Sequence, residues 1–410
     1  MRSRPPPTGR PVTEAALQGR YRDALALHRA GQLDAAEAGY RGILAARPKS
    51  FHALHMLGVL RGQRDDWAEA ERLIAAAVQV DPNVAAAHAN LGNARRLLGQ
   101  RAAALDSYER SLRLQPANVG ALKGRGLLLW ELDRTEEALA SYDTLLAVEP
   151  DYADGWIMRG ACLDKLGRLE ESIAAYRRAL DFEHASDPEK VRYVLASMGG
   201  GEAPARSPVH YVRSLFDKYA RRFDDHLVRQ LRYRGPALVL EVLRPFLGEG
   251  LRDAVDLGCG TGLGGELLRP HAARLVGIDL SPKMLEEAGR KQVYDSLVEA
   301  DMVAWLAGQR LTYDLAVAID AFIYLGDLAP ALAACRDALR PGGLFAFTIE
   351  RSDGDAPRLL GSLRYAHPPG YVRQLAEAGG WRIESETAHA LRQEDRQDVA
   401  GQLFVLRRVD

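Results

Sequence analysis

From Val255 to Gly264 the chain reads Val-Asp-Leu-Gly-Cys-Gly-Thr-Gly-Leu-Gly, an apolar run that breaks into glycines and then opens a helical pattern. Glycines at 258, 260 and 262 bring bare backbone close to a ligand and accept backbone angles that other residues resist. Asp256 places a carboxylate at the end of the apolar run, just before the first glycine. A loop built for phosphate has no use for an anion there, whereas a cationic ligand does. Val276-Gly277-Ile278-Asp279 ends a second apolar run with an acid placed to take two ribose hydroxyls, and Leu280 follows it. Asp301 closes a third run, where it can accept from an adenine amino group, and Met302 adds backbone and an apolar wall. The chemistry in view is the binding of a positively charged nucleoside.

Acids and glycines in this order need strands that end side by side. From Asp253 onward short apolar runs alternate with amphipathic stretches, the pattern of an α/β fold with a mainly parallel sheet. Strands are expected near 253–257, 274–279, 295–299, 313–320, 342–350, 381–388 and 400–408. Helices are expected near 263–270, 282–290, 302–308, 328–340 and 369–379. No helical pattern separates the last two strands, so they should form an antiparallel hairpin that completes a seven-stranded Rossmann-like sheet.

Gly260, Gly262 and Gly265 satisfy the GxGxxG spacing, and Asp279 follows at the distance a nicotinamide-binding domain would use. Those features alone leave an NAD(P)-dependent oxidoreductase open. The acid before the glycines, the third acid at Asp301 and the late Leu339-Arg340-Pro341-Gly342-Gly343 turn separate the two readings. Together, over residues 253 to 350, they resemble the class I S-adenosylmethionine (SAM)-dependent methyltransferases. The resemblance implies SAM as cofactor, with Gly258, Gly260 and Gly262 meeting its methionine end and Asp256 near its ammonium, water between. It implies Asp279 and Leu280 at the ribose, and Asp301 and Met302 at the adenine. Met284, after the Ser281-Pro282 helix start, either covers the nucleoside or packs in its helix core. Cys259 belongs to the loop by family habit and is not a nucleophile. Methyl transfer to an O, N or C acceptor asks chiefly for alignment and exclusion of water, so no catalytic triad is required. A repeat scaffold whose second half only senses SAM, or is inactive, is the alternative of another class.

Candidate acceptor residues lie in three places. Phe216, Tyr219 and Phe223 share one face of a helix before the first strand. Comparable aromatic helices in ubiquinone/menaquinone-type methyltransferases fold over the methionine end of SAM; packing against the sheet is the plainer reading. Asp320 and Tyr324 follow the fourth strand, whose carboxyl end faces the crevice, and either could contact the acceptor or serve as a base. His367 follows the fifth strand as a possible base or a surface histidine.

The first half is a repeat. Pro48, Pro82, Pro116 and Pro150 are evenly spaced, and Gly58, Gly92, Gly126 and Gly160 keep the same period. Ala70, Ala104 and Ala138, then Ser172, follow in phase, as do Tyr40, Ile74, Tyr108, Tyr142 and Tyr176. Small residues let paired helices approach, the large one is expected to fill the gap to the next unit, and proline ends the second helix. A Gly or Asp at 31, 65, 99, 133 and 167 turns the chain between helices. The pattern resembles the tetratricopeptide repeat over roughly residues 14 to 184, in five units. That resemblance implies a groove for a protein or peptide. Asn90 and Asn93 are similar to groove asparagines of some members, but Met56, Gly124 and Met158 fill the other units' positions, so no asparagine ladder is expected. Arg125 and Arg159 either give the later units a more basic face or are solvated or lie along their own helices. The whole chain is similar to bacterial methyltransferase sequences fused to such repeats.

Domains follow: a disordered lead-in over 1–13, an all-α solenoid with a closing helix over 14–198, a Gly-rich linker over 199–208 and the methyltransferase over 209–410. The 410 residues carry 54 Lys and Arg against 55 Asp and Glu, so no bulk basic excess favours nucleic acid. Three scattered cysteines make neither a disulfide framework nor a zinc site, and no metal is expected. No apolar run is long enough to span a membrane, and a cytoplasmic setting is the expectation.

Overall fold

A computed structural model describes residues 13–225, 227, 233–250, 252–394 and 397–409. Nearly all of the expected lead-in, residues 1–12, lies outside the described residues. The chain divides into two compact units, Met1–Ser186 and Asp187–Asp410.

The first unit is five helical hairpins: α1 (Glu14–Arg29) with α2 (Leu33–Ala46), α3 (Phe51–Gln63) with α4 (Trp67–Val80), α5 (Ala85–Leu97) with α6 (Arg101–Leu114), α7 (Val119–Glu131) with α8 (Thr135–Val148), and α9 (Ala153–Lys165) with α10 (Leu169–Leu180). Each hairpin turns on one residue in the left-handed region: Gly31, Asp65, Gly99, Asp133 and Gly167, with φ between 59° and 75°. The glycine column proves to be a seat. A Cβ on Gly58, Gly92 or Gly126 would stand 2.5, 2.6 or 2.8 Å from Ile74, Tyr108 or Tyr142 of the same hairpin. The large residue therefore first fills the gap within its own unit. Tyr108 also presses on Gly124 of the next hairpin, which is the contact expected from the sequence.

The second unit begins with α11 (Pro188–Ser197), α12 (Val209–Tyr219) and α13 (Gly235–Leu243). Then β1 (Arg252–Leu257), α14 (Leu263–Leu268), β2 (Ala272–Asp279), α15 (Pro282–Lys291), β3 (Ser296–Glu299), α16 (Met302–Leu306) and β4 (Tyr313–Ala318) alternate. After α17 (Ala329–Ala338) come β5 (Leu339–Arg351), β6 (Arg358–Leu359), β7 (Tyr365–His367), α18 (Pro369–Ala378), β8 (Trp381–Glu394) and β9 (Gln397–Arg408). The sheet runs β3-β2-β1-β4-β5 in parallel; β9 then inserts antiparallel between β5 and β8. It holds nine strands where seven were expected, because the loop after β5 folds into the short strands β6 and β7, the latter paired with Glu350 and Arg351. Alternate strand residues bury on opposite faces: Val255, Ala316 and Phe345 in one core, Ala254, Leu315 and Leu344 in the other.

Two boundaries differ from the sequence reading. Helix α11 groups with the sheet unit instead of closing the solenoid. The Tyr193 hydroxyl donates to the Leu363 carbonyl at 2.8 Å and lies 2.6 Å from the Ser207 hydroxyl. Nor is the whole linker loose. The Ala205 carbonyl accepts from the N–H groups of Gly326 and Asp327, each at 2.8 Å, and the Ser207 N–H donates to the Tyr324 carbonyl at 2.9 Å. Pro204 accepts from the Tyr365 hydroxyl at 2.6 Å. Among the described residues no helix is long and apolar enough to cross a membrane.

Candidate cofactor and acceptor site

Strand β1 ends at Leu257, and the next residues bend back over the end of β2. The N–H groups of Gly258 and Cys259 both donate to the Ile278 carbonyl, at 2.8 and 2.9 Å. Gly258, Gly260 and Gly262 have φ of 72°, 54° and 87°, the region where side chains are strained. The loop is tied to the acid at the end of β2: Asp279 accepts the Gly260 N–H at 2.9 Å and the Ser281 N–H at 2.8 Å. Burial raises the Asp279 pKa against these bonds.

Asp256 is 2% exposed and accepts the Tyr294 hydroxyl at 2.7 Å. Burial raises its pKa to about 6; the Tyr294 bond works the other way, and the charge of Asp279 adds to the rise. Tyr294 belongs to no motif of the sequence. Gly265, the last glycine of the GxGxxG spacing, leaves room for its ring.

Helix α12 and the turn after it lie across this loop. Asp217 accepts the Ser281 hydroxyl at 2.6 Å, while Asp224 accepts from Thr261 and pairs with Lys291 at 2.9 Å. Held so, Phe216, Tyr219 and Phe223 line a cavity of about 560 Å³, within the usual range of about 300–1,000 Å³ for small-molecule sites. Their rings meet edge to face, Tyr219 on Phe223 at 5.2 Å and Phe216 on Tyr324 at 5.5 Å.

The cavity gathers most of the residues singled out in the sequence. Asp256, Gly258, Cys259, Gly260, Asp279 and Leu280 line one part. Asp301 and Met302 line it beside Ala300, and Tyr219, Asp320 and Tyr324 line the rest. Asp301 caps α16 through the Ala304 N–H at 2.9 Å and pairs with Arg206 at 3.1 Å.

Three residues fall elsewhere. Gly262 turns the chain into α14, where a Cβ would meet Tyr294 at 3.0 Å. Met284 is wholly buried in α15 and outside the cavity lining, so the helix-core alternative is the one realised. His367 is neither a surface residue nor a cavity base. Wholly buried on β7, it faces the Leu325 carbonyl through Nε2 at 2.8 Å, and burial holds its pKa down at about 4.

A buried ionic cluster also lines the cavity. Arg392 of β8, 5% exposed, meets Asp320 with two contacts of 2.8 and 3.0 Å, Glu350 at 2.8 Å and Glu394 at 2.8 Å. Arg364 joins Glu350 at 3.1 Å and Glu394 at 2.6 Å. Asp320 holds φ of 56°, and its N–H donates to Thr348 Oγ1 at 2.8 Å. Arg392 leaves no signal in the sequence, because its partner Asp320 is 72 positions away.

In the first unit a second cavity of about 420 Å³ is lined by α3, α4, α5 and α7, with Asn90, Asn93, Lys123 and Trp67 among its residues. Asn90 donates to His55 Nε2 at 2.9 Å, and Asn93 accepts the Tyr108 hydroxyl at 2.7 Å. Arg125 donates to Ser141 at 2.7 Å and lies 3.7 Å from Glu137, while Arg159 pairs with Asp143 at 2.7 Å. Arg125 stays within its own hairpin, whereas Arg159 reaches back to α8 of the preceding one, and each is matched by an acid.

Comparison with known proteins agrees with both halves. The family model described as a methyltransferase domain matches residues 255–345, and the tetratricopeptide repeat model matches 55–119 and 123–189. The chain is 33% identical over 174 residues to a ubiquinone biosynthesis O-methyltransferase of Methylocella silvestris, covering 34% of this chain and 68% of the relative. It is 35% identical over 150 residues to a malonyl-[acyl-carrier protein] O-methyltransferase of Pseudescherichia vulneris, covering 36% of this chain and 56% of that one. Among solved structures it is similar to 1,6-didemethyltoxoflavin-N1-methyltransferase of Burkholderia thailandensis, with 17% identity, TM-score 0.41, and coverage of 51% of this chain and 94% of that one. The chain belongs to the SAM-dependent methyltransferases, joined here to tetratricopeptide repeats.

Proposed function

We propose that the second unit transfers a methyl group from SAM to an oxygen acceptor, and that the repeats engage a protein or peptide partner. The carrying observation is the convergence of three strand-end acids and a bare glycine loop on one cavity. The residues present fit the cofactor. Asp279 lines the cavity at the end of β2, where a ribose diol would meet it, and Asp256 is a buried acid in want of a cation. A Cβ on Gly260 would meet only Phe223, at 3.8 Å, so the space beside that backbone is the ligand's.

When bound, SAM supplies an electrophilic methyl group on a sulfonium. The chain's own part is positional. Asp256 faces the ammonium, Asp279 holds the ribose, and Asp301 with Met302 takes the adenine. Phe216, Tyr219 and Phe223 exclude water, which strengthens every charge interaction inside. Burial raises the Asp320 pKa while Arg392 opposes the rise, and its role is to accept a hydrogen bond from the acceptor and orient it.

Oxygen as the accepting atom follows the O-methyltransferases to which the chain is similar. The cavity on α3, α4, α5 and α7 is the place for the partner, and the buried thiols of Cys162, Cys259 and Cys335 suit the reducing cytoplasm. Calorimetry with S-adenosylhomocysteine (SAH) tests the cofactor, and labelled SAM in lysate tests transfer. Micromolar SAH binding and label in a product are expected; no SAH binding at millimolar ligand would sink the enzyme reading.

A further inference from the structure

We infer that the acceptor is an uncharged, hydroxylated aromatic molecule and that carboxylate acceptors are turned away. This rests on the cofactor reading above and adds the acceptor's class to it. The cations lining the cavity among the described residues are Arg206, Arg364 and Arg392. Each is already held by acids. Arg206 pairs with Asp301, and all three guanidinium nitrogens of Arg392 are committed to Asp320, Glu350 and Glu394. Arg364 shares Glu350 and Glu394. Two guanidinia among three carboxylates leave the cluster with an excess negative charge, in a place where water screens little. In the Arg364–Arg392 cluster an anionic acceptor would have to displace one of the acids and leave it buried without its partner, which is costly. A hydroxyl asks for much less, because Asp320 can accept its hydrogen while keeping Arg392.

The rest of the acceptor wall is ring-rich. Phe216, Tyr219, Phe223, Tyr233 and Tyr324 all line the cavity, and Phe216 and Tyr324 stand edge to face, with their planes at 86°. A flat aromatic body stacks or docks edge-on against such a wall, and its desolvation is favourable.

The test uses a matched pair of probes on the full chain loaded with SAH at pH 7.5. 2-Naphthol is neutral there and 2-naphthoate is an anion of nearly the same shape. Fluorescence titration should give at least tenfold tighter binding of 2-naphthol. Glu394→Gln removes one negative charge from the cluster and should narrow that preference at least threefold, with SAH affinity unchanged. Equal or tighter binding of 2-naphthoate, or binding of neither probe to protein that does bind SAH, overturns the acceptor class alone. Absence of SAH binding in the same samples overturns the cofactor reading and the acceptor class with it.

Discussion

The Tyr294 hydroxyl reaches across from the segment after α15 and donates to Asp256 Oδ2 at 2.7 Å. That bond stabilises the ionised acid, but burial outweighs it and leaves the pKa at about 6. An acid poised there is a receptor for positive charge. A ligand ammonium near it favours the carboxylate and pulls the pKa down, so binding releases a proton around pH 6.

The sign of the pH effect follows. Below about pH 6 the ligand must first drive a proton off Asp256, and above it the acid is already ionised. SAH affinity should therefore rise with pH up to about 6 and level off above. Asp256→Asn should flatten the dependence and bind more weakly at pH 7.5. Calorimetry in buffers of different ionisation heat, at pH 5.5 and 7.5, would expose the proton release; an equal proton count at both pH values would count against it.

Asp279→Ala should weaken SAH binding by roughly ten- to a hundredfold, since a hydrogen bond to a charged group is worth about 1.5–3 kcal/mol. The same variant frees the Gly260 and Ser281 N–H groups that now bond to Asp279, so the melting temperature should fall as well. Asp279→Asn separates the two effects. It keeps an acceptor oxygen, and it should recover stability more fully than affinity.

Gly258 and Gly260 should respond differently to alanine. An alanine at either position would carry left-handed strain of about 1–2 kcal/mol. At Gly258 the new methyl would also stand 2.7 Å from the Ala321 side chain, so Gly258→Ala should lose thermal stability beyond the strain alone. At Gly260 it enters the cavity, and Gly260→Ala should lose SAH affinity with a smaller change in melting temperature. Thermal shift with and without SAH reads both.

Arg392→Met would leave Asp320, Glu350 and Glu394 crowded in a buried site without their shared cation. Breaking such a pair costs about 3–5 kcal/mol. The second unit should unfold at markedly lower temperature. Raising ionic strength should restore little, because Arg392, Asp320 and Glu350 are largely buried and salt screens buried charges weakly. An Arg392→Met variant as stable as the parent would remove the cluster from the fold's supports.

Much of the fold was legible because it is written locally. The repeat announces itself in residues that touch within one hairpin, such as Gly92 beneath Tyr108, and in turn residues whose positive φ restricts the choice to Gly or Asp. The parallel strands and their terminal acids are also local patterns. What escaped depends on distant partners. The allegiance of α11 is decided by Tyr193 finding Leu363, 170 positions on. The segment 204–207 is held partly through its own backbone groups and partly by Tyr193 and Tyr365, both distant in the sequence. His367 looked like an exposed loop residue because β7 is only three residues long, too short for an alternating pattern.

The matched methyltransferase segment, residues 255–345, contains Asp256, Asp279 and Asp301 but neither Phe216 on α12 nor Arg392 on β8. On the function proposed above, the chamber is assembled from two sources, a central core for the nucleoside and flanking arms for the molecule being modified. Change in the arms can retune what is methylated while the core goes on handling the same donor. A graft that exchanged residues 204–250 and 381–409 between relatives would move the choice of acceptor and leave the cofactor's grip where it was.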